Sequence, residues 1–250
     1  VSTQAATAEE AVVSCRTGAS EIVLVCEHAS AHIPEALAGL GLAPADRLSH
    51  AVWDPGALAV AEVMAERLSA GLVAGRVSRL VYDCNRPPEA PDAVPARSEL
   101  IEVPGNRQLS PEDRAERVRT YYEPFRAALA EVLAAQEAPV IVTMHSFTPL
   151  FHGRPRAVEI GLLHDSDSRL ADAMLEIAPQ HTELTCRRNE PYGPGDGVTH
   201  TLKHHALPGG HLNLMIEVRN DLIATPAQQN AMGEMLAGWL EAALPAARGA

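Results

Sequence analysis

Five short runs of Val, Ile and Leu constrain this chain more than any other feature: residues 22–26, 80–83, 140–144, 158–163 and 212–218. Each is too short for a helix and too continuously apolar for a strand with one wet face. Runs of that kind suit strands buried on both sides, as in a mostly parallel or mixed central sheet. Between them lie stretches with helical period. Ala61, Met64, Ala65 and Leu68 fall at i, i+3, i+4 and i+7. Ser110-Pro111 followed by Asp113 reads as an N-cap, a proline at the first helical position and a first-turn carboxylate. The stripe Val118, Tyr121, Tyr122, Phe125 and Leu129 continues that helix, with Pro124 expected to kink or interrupt it. Thr225-Pro226 with Gln228 opens a last helix whose buried stripe is Met232, Met235, Leu236, Trp239 and Leu240.

Strands alternating with helices predict an α/β fold with helices on both faces of the sheet. With 250 residues, the reading is an N-terminal extension over 1–20 and a single α/β domain over 21–250. Two segments lack periodicity, 86–108 with five prolines and 189–197 reading NEPYGPGDG. Long irregular loops in a compact domain often carry function.

The formal net charge is −12 and no run of Lys or Arg offsets it, which argues against nucleic-acid binding. The same acidic field repels anionic small molecules, so a site for one needs local arginines. Residues 1–18 have no basic segment leading into an apolar run, and no stretch reaches 18 uninterrupted apolar residues. The expectation is a cytoplasmic chain without a membrane span. Cys15, Cys26, Cys84 and Cys186 form no C-x-x-C pair, so reduced thiols are expected.

Ligands of open α/β sheets bind beyond the carboxyl ends of the strands. There the chain places Glu27-His28, His145-Ser146, Glu217-Val218-Arg219 and, after the run 80–83, Cys84-Asn85-Arg86. His28 and His145 each follow a buried run and could converge on one metal ion; equally, each could simply bond a neighbouring carbonyl. Glu217 lies inside an apolar run, where a carboxylate is costly unless it is paired, ligated or catalytic; a buried ion pair with Arg219, or with another arginine, is the alternative. His200 and His204 stand at i, i+4, a spacing shared by metal pairs and by solvated helix faces. H-E-x-x-H, G-x-S-x-G, G-x-x-x-x-G-K and G-x-G-x-x-G are all absent.

Six segments in order, VCEHASAHIP (25–34), WDPGALAVAEVMA (53–65), SRLVYDCNRP (78–87), MHSF (144–147), NEPYGPGDGVTH (189–200) and LMIEVRND (214–221), resemble the N-formylglutamate amidohydrolases. The resemblance implies a zinc hydrolase similar in fold to the zinc carboxypeptidases and aspartoacylases. It implies that His28 and His145 are the first and third ligands of one Zn2+ ion, or of another divalent metal. Ala31 stands where carboxypeptidases have a glutamate ligand. Asp54 is then the candidate second ligand, with Glu27 and His32 as alternatives, although Asp54-Pro55 also reads as the start of a helix. Glu217 is implied as general base, Arg79 as the group polarising the oxyanion, Asn85 with Arg86 as the grip on a substrate carboxylate, and Arg219 as the holder of a second one. The implied partner is a small anionic N-acyl amino acid, most simply N-formyl-L-glutamate. Deacylation of another N-acyl amino acid, carboxypeptidase-like hydrolysis and a catalytically inactive carboxylate-binding module are the competing readings. The chain departs from the family pattern at Ala29-Ser30 and at Thr143, which bears on the substrate more than on the metal.

Overall fold

A computed structural model describes residues 12–249. Its centre is a seven-stranded mixed sheet. The strands are β1 (Val13–Arg16), β2 (Ile22–Cys26), β3 (Gly71–Gly75), β4 (Val140–Phe147), β5 (Ile160–Leu163), β6 (Cys186–Arg188) and β7 (Asn213–Arg219). Their spatial order is β1-β3-β2-β4-β7-β5-β6. β3, β2, β4 and β7 run parallel; β1 pairs antiparallel with β3, and β5 antiparallel with β7. The extension expected over 1–20 therefore supplies an edge strand, Val13 opposite Gly75 and Arg16 opposite Leu72. Residues 1–11 lie outside the described part.

Strand alternation divides the core in two. Leu24, Val142, Met144, Leu214, Ile216 and Val218 face one layer, built by α1 (Ala57–Arg67), α4 (Arg169–His181) and α5 (Pro226–Gly249). Val23, Val25, Ile141 and Met215 face the other, covered by α3 (Glu123–Ala134) and the irregular chain between α1 and α3. α2 (Pro111–Arg117) opens with the expected capping box, since Ser110 Oγ accepts from Asp113 N and the Asp113 carboxylate accepts from Ser110 N. Pro124 interrupts as expected. A π-helical turn over Val118–Tyr122 joins α2 to α3, so the proline falls in the first turn of α3, where a missing N–H costs little. Thr225 and Gln228 cap α5 reciprocally. No helix among the described residues is long and apolar enough to cross a membrane.

One expected strand is absent, and three strands outside the expected runs, β1, β3 and β6, are present. Residues 80–83 are a buried turn, not a strand. The Leu80 carbonyl accepts from the Asn106 side chain at 2.7 Å and the Val81 carbonyl from Arg117 at 2.8 Å, so side chains replace a ladder in satisfying this backbone. The interior strand that the sequence hid is β3, a five-residue run with glycine at both ends. Gly75 is needed there: a Cβ would sit 2.4 Å from the Glu27 carbonyl oxygen, in the segment that presents His28.

The chain runs from β2 outward to β3 and then crosses back to β4, so the connections diverge between β2 and β4. That divergence opens a crevice at the strands' carboxyl ends.

Candidate metal centre and catalytic cavity

Three segments meet in the crevice. His28 follows β2, His145 lies near the end of β4, and Asp54 precedes α1. All three are buried. Asp54 does not cap the helix: the N-cap is Gly56, at φ +82°, and this left-handed turn leaves the Asp54 carboxylate free to face the histidines. The Asp54 N–H donates to the His28 carbonyl at 3.0 Å, while Ser146 donates its N–H to the Asp54 carboxylate and its hydroxyl to the Pro55 carbonyl. The loop is thus stitched to both strands that it bridges.

His28 Nδ1, His145 Nδ1 and Asp54 Oδ2 form a triangle with edges of 3.2, 3.0 and 3.2 Å. A tetrahedral centre with metal–ligand bonds of about 2.0–2.1 Å has ligand–ligand edges of about 3.3 Å. Two ring nitrogens this close also need a proton or a cation between them. The donor set, two imidazoles and a carboxylate, is one that suits zinc. This buried group could hold a metal ion.

Each histidine is backed by a carboxylate on its other ring nitrogen. His28 Nε2 lies 2.7 Å from Asp83 Oδ1, and His145 Nε2 lies 3.2 Å from Glu27 Oε2, the latter pair without hydrogen-bond alignment. At His28 that hydrogen bond fixes the tautomer that leaves Nδ1 facing inward; at His145 the Glu27 carboxylate acts through its charge. Asp83 also accepts from Arg79 at 2.9 Å and from the Asn85 N–H at 2.9 Å, and Thr201 donates its hydroxyl to Glu27. Charge is balanced accordingly. Burial would raise the Asp54 and Asp83 carboxyls, but the adjacent imidazoles, with Arg79 at Asp83, hold both below the usual range. Burial would lower His145, but Glu27 and Asp54 hold it well above an ordinary histidine; His28 is raised in the same sense by Asp83 and Asp54.

Glu217 enters from β7. The strand register sets it against His145, and its Oε2 is buried without a hydrogen-bond partner among the described residues. Burial pushes its carboxyl up to about 7, with Asp54 adding to the shift and the histidines and Arg79 opposing it. A proton acceptor poised near neutrality beside a possible metal centre is what hydrolysis requires.

His28, Asp54, His145 and Glu217 line one cavity of about 290 Å³, together with Arg79, Arg86, His50, Glu99 and Tyr192. Arg79 bridges Asp83 and, at 3.5 Å, Asp54. Arg86 donates Nε to Asp92 and Nη1 to the Asn85 carbonyl. Asn85 touches the cavity but has its amide engaged: its Nδ2 donates to the Val198 carbonyl at 2.6 Å and its Oδ1 accepts from the Thr201 N–H at 3.0 Å. The structure does not bring Arg219 into the cavity lining. Its guanidinium is held by Asp221, by Glu159 and by the Arg156 carbonyl. His32 is exposed and outside the lining, and Glu27 supports His145 from behind. His200 bonds the Tyr122 hydroxyl at 2.8 Å and lies tilted beside His204, ring centroids 5.7 Å apart, in no metal-compatible group among the described residues. Sequence reasoning missed Asp83, although the argument applied to Glu217, a carboxylate within an apolar run, applies there equally.

A divided α/β sheet with a histidine–carboxylate cluster and a poised buried glutamate at its switch point is the framework of a hydrolase. The N-formylglutamate amidohydrolase family model matches residues 20–224, and the chain belongs to that family. It is an amidohydrolase. A gene product of Agrobacterium tumefaciens, known from its crystal structure, is 52% identical, with a TM-score of 0.92 over 96% of this chain and 97% of that one. The N-formylglutamate amidohydrolase of Ralstonia eutropha shares the fold at 19% identity, with a TM-score of 0.70 over 96% and 99% of the two chains. Nothing among curated proteins matches.

Proposed function

We propose that this chain is a zinc-dependent deacylase of small N-acyl amino acids, with N-formyl-L-glutamate, the compound in the family's name, as the reference substrate. One observation carries the reading: the triangle of His28, Asp54 and His145 shares a cavity with a buried Glu217 whose Oε2 has no hydrogen-bond partner among the described residues.

His28, Asp54 and His145 would hold the ion, which would supply Lewis-acid polarisation of the amide carbonyl and acidification of water. Glu217 accepts the proton from the attacking water and returns it to the departing amine nitrogen. Arg79, kept protonated by Asp83 and Asp54 against the cost of burial, stabilises the developing oxyanion. Arg86 binds the amino acid's carboxylate; its Nη2 has no hydrogen-bond partner among the described residues. The aromatic walls Phe147, Phe151 and Tyr192 exclude water from the acyl group.

The test is formate release from N-formyl-L-glutamate by zinc-loaded protein, beside a chelator-treated control. Chelator-sensitive release supports reaction and metal together. Bound zinc without release from any N-acyl amino acid would sink the deacylase reading. Neither zinc nor release would favour a carboxylate-binding module.

A further inference from the structure

Resting on the deacylase reading above, we infer that the Tyr192 hydroxyl holds the side-chain carboxylate of a dianionic substrate, and that Arg156 is the positioning residue that orients and polarises it. Arg86 grips one carboxylate of such a substrate. With Arg219 outside the lining, the second carboxylate needs another holder.

Arg156 pairs with no carboxylate among the described residues. Its guanidinium lies among three rings that line the cavity, 5.3 Å from the centroid of Phe147, 4.4 Å from Phe151 and 4.9 Å from Tyr192. Nη2 donates to the Tyr192 hydroxyl at 2.9 Å and Nη1 to the Thr148 carbonyl at 3.4 Å, while Arg219 donates to the Arg156 carbonyl at 3.2 Å. In a chain of net charge −12, an arginine left without a counter-ion beside a cavity attracts an anion to that wall. Arg156 is not itself among the lining residues, so its charge reaches a ligand through Tyr192.

The Tyr192 hydroxyl accepts from Arg156, and its own proton has no acceptor among the described residues. A phenol whose oxygen is bonded by a guanidinium is a polarised, stronger donor, and a carboxylate is the acceptor it binds best. Burial and the charge of Glu217 hold the phenol above the usual tyrosine range against Arg156, so the proton is in place at neutral pH. The loop that carries it is anchored. Asn189 donates its N–H to the Leu162 carbonyl at 3.1 Å, and its side chain accepts from the His164 N–H at 2.9 Å. None of the cavity's own carboxylates takes the hydroxyl proton. Asp54 belongs to the histidine triangle, Glu99 lies 3.0 Å from His50 Nε2, and Asp196 accepts from the Gly193 N–H at 2.8 Å. Glu217 is reserved for the attacking water. Two cations, Arg86 directly and Arg156 through Tyr192, thus meet two substrate carboxylates.

The experiment compares kcat/KM for N-formyl-L-glutamate and for N-formyl-L-norvaline, which lacks the side-chain carboxylate, on zinc-loaded protein. The ratio of the two on one preparation does not depend on how much of it is folded. Wild type should prefer glutamate by about 10-fold or more, carried by KM. Tyr192→Phe should cut that preference by about 10-fold through the KM of the glutamate compound. Arg156→Gln should act in the same direction, and Arg156→Lys, which keeps the charge, should retain more of the preference than Gln does. A preference that Tyr192→Phe leaves intact overturns the inference, as does a fall in kcat shared equally by both compounds. So does formate from the norvaline compound alone; in all three cases the deacylase reading stands. Formate from neither compound overturns the reading and the inference together.

Discussion

Glu217 and His145 occupy facing positions in the parallel register of β7 against β4, and both leave the sheet on the side away from α1, α4 and α5. That pairing puts a proton acceptor next to a candidate metal ligand on rigid backbone, two strands that need no loop movement to meet.

Replacing Glu217 by Gln keeps size and removes the acceptor. Turnover is expected to fall roughly 10²-fold or more while zinc content, measured by elemental analysis, stays at the wild-type level. An active Glu217→Gln protein would remove Glu217 from the mechanism.

The same residue sets a pH dependence in the metal-free protein. Burial raises its carboxyl from 4.5 to about 7, so the folded state holds the proton more tightly than the unfolded chain does. The resulting stabilisation is complete below about 4.5 and is lost as pH rises through about 7. Gln imitates the protonated form at every pH. The melting temperature of Glu217→Gln should therefore climb relative to wild type between about pH 5 and about pH 8. A constant difference across that range would contradict the assignment.

Glu27 and Asp83 stand behind the two histidines. Glu27→Gln and Asp83→Asn should each weaken zinc binding by about 10- to 100-fold in a competition titration with a chromogenic chelator. Unchanged affinity in both would mean that the tautomers are fixed by something else.

Asn85 and Arg86 are adjacent yet separable. Arg86→Ala should raise KM by about 10-fold or more with a smaller effect on kcat, since it removes a charged grip on substrate. Asn85→Ala should instead lower stability by about 1–3 kcal/mol in denaturant unfolding, because the Val198 carbonyl and the Thr201 N–H lose their partner. A KM effect from Asn85→Ala at full stability would return that residue to the substrate.

What could be read in advance follows from range. The runs behind β2, β4 and β7 were legible because both faces of a central strand are apolar. Glu217 was legible because a carboxylate breaks such a run. β3 escaped because its glycines erase the β-branched signature while allowing the close pass over Glu27. Residues 80–83 misled because burial alone does not distinguish a strand from a turn whose carbonyls are bonded by Asn106 and Arg117. Asp54-Pro55 imitates a helix start, and only Gly56, taking the cap, shows why the carboxylate is free. The engagement of Asn85 depends on partners more than a hundred residues distant, which no local pattern encodes, whereas Arg219 is held both by Asp221, two residues on, and by Glu159, about sixty residues away.

His28 and His145 are 117 positions apart in the chain, and Asp54 is 91 from His145. An ion seated on all three would therefore be a reversible cross-link closing nearly half of the polypeptide into loops. Any binding confined to the folded form deepens its stability with metal concentration. Scarcity of metal would then expose this chain to unfolding and proteolysis as well as stop its turnover, so its abundance would itself report the supply of the ion.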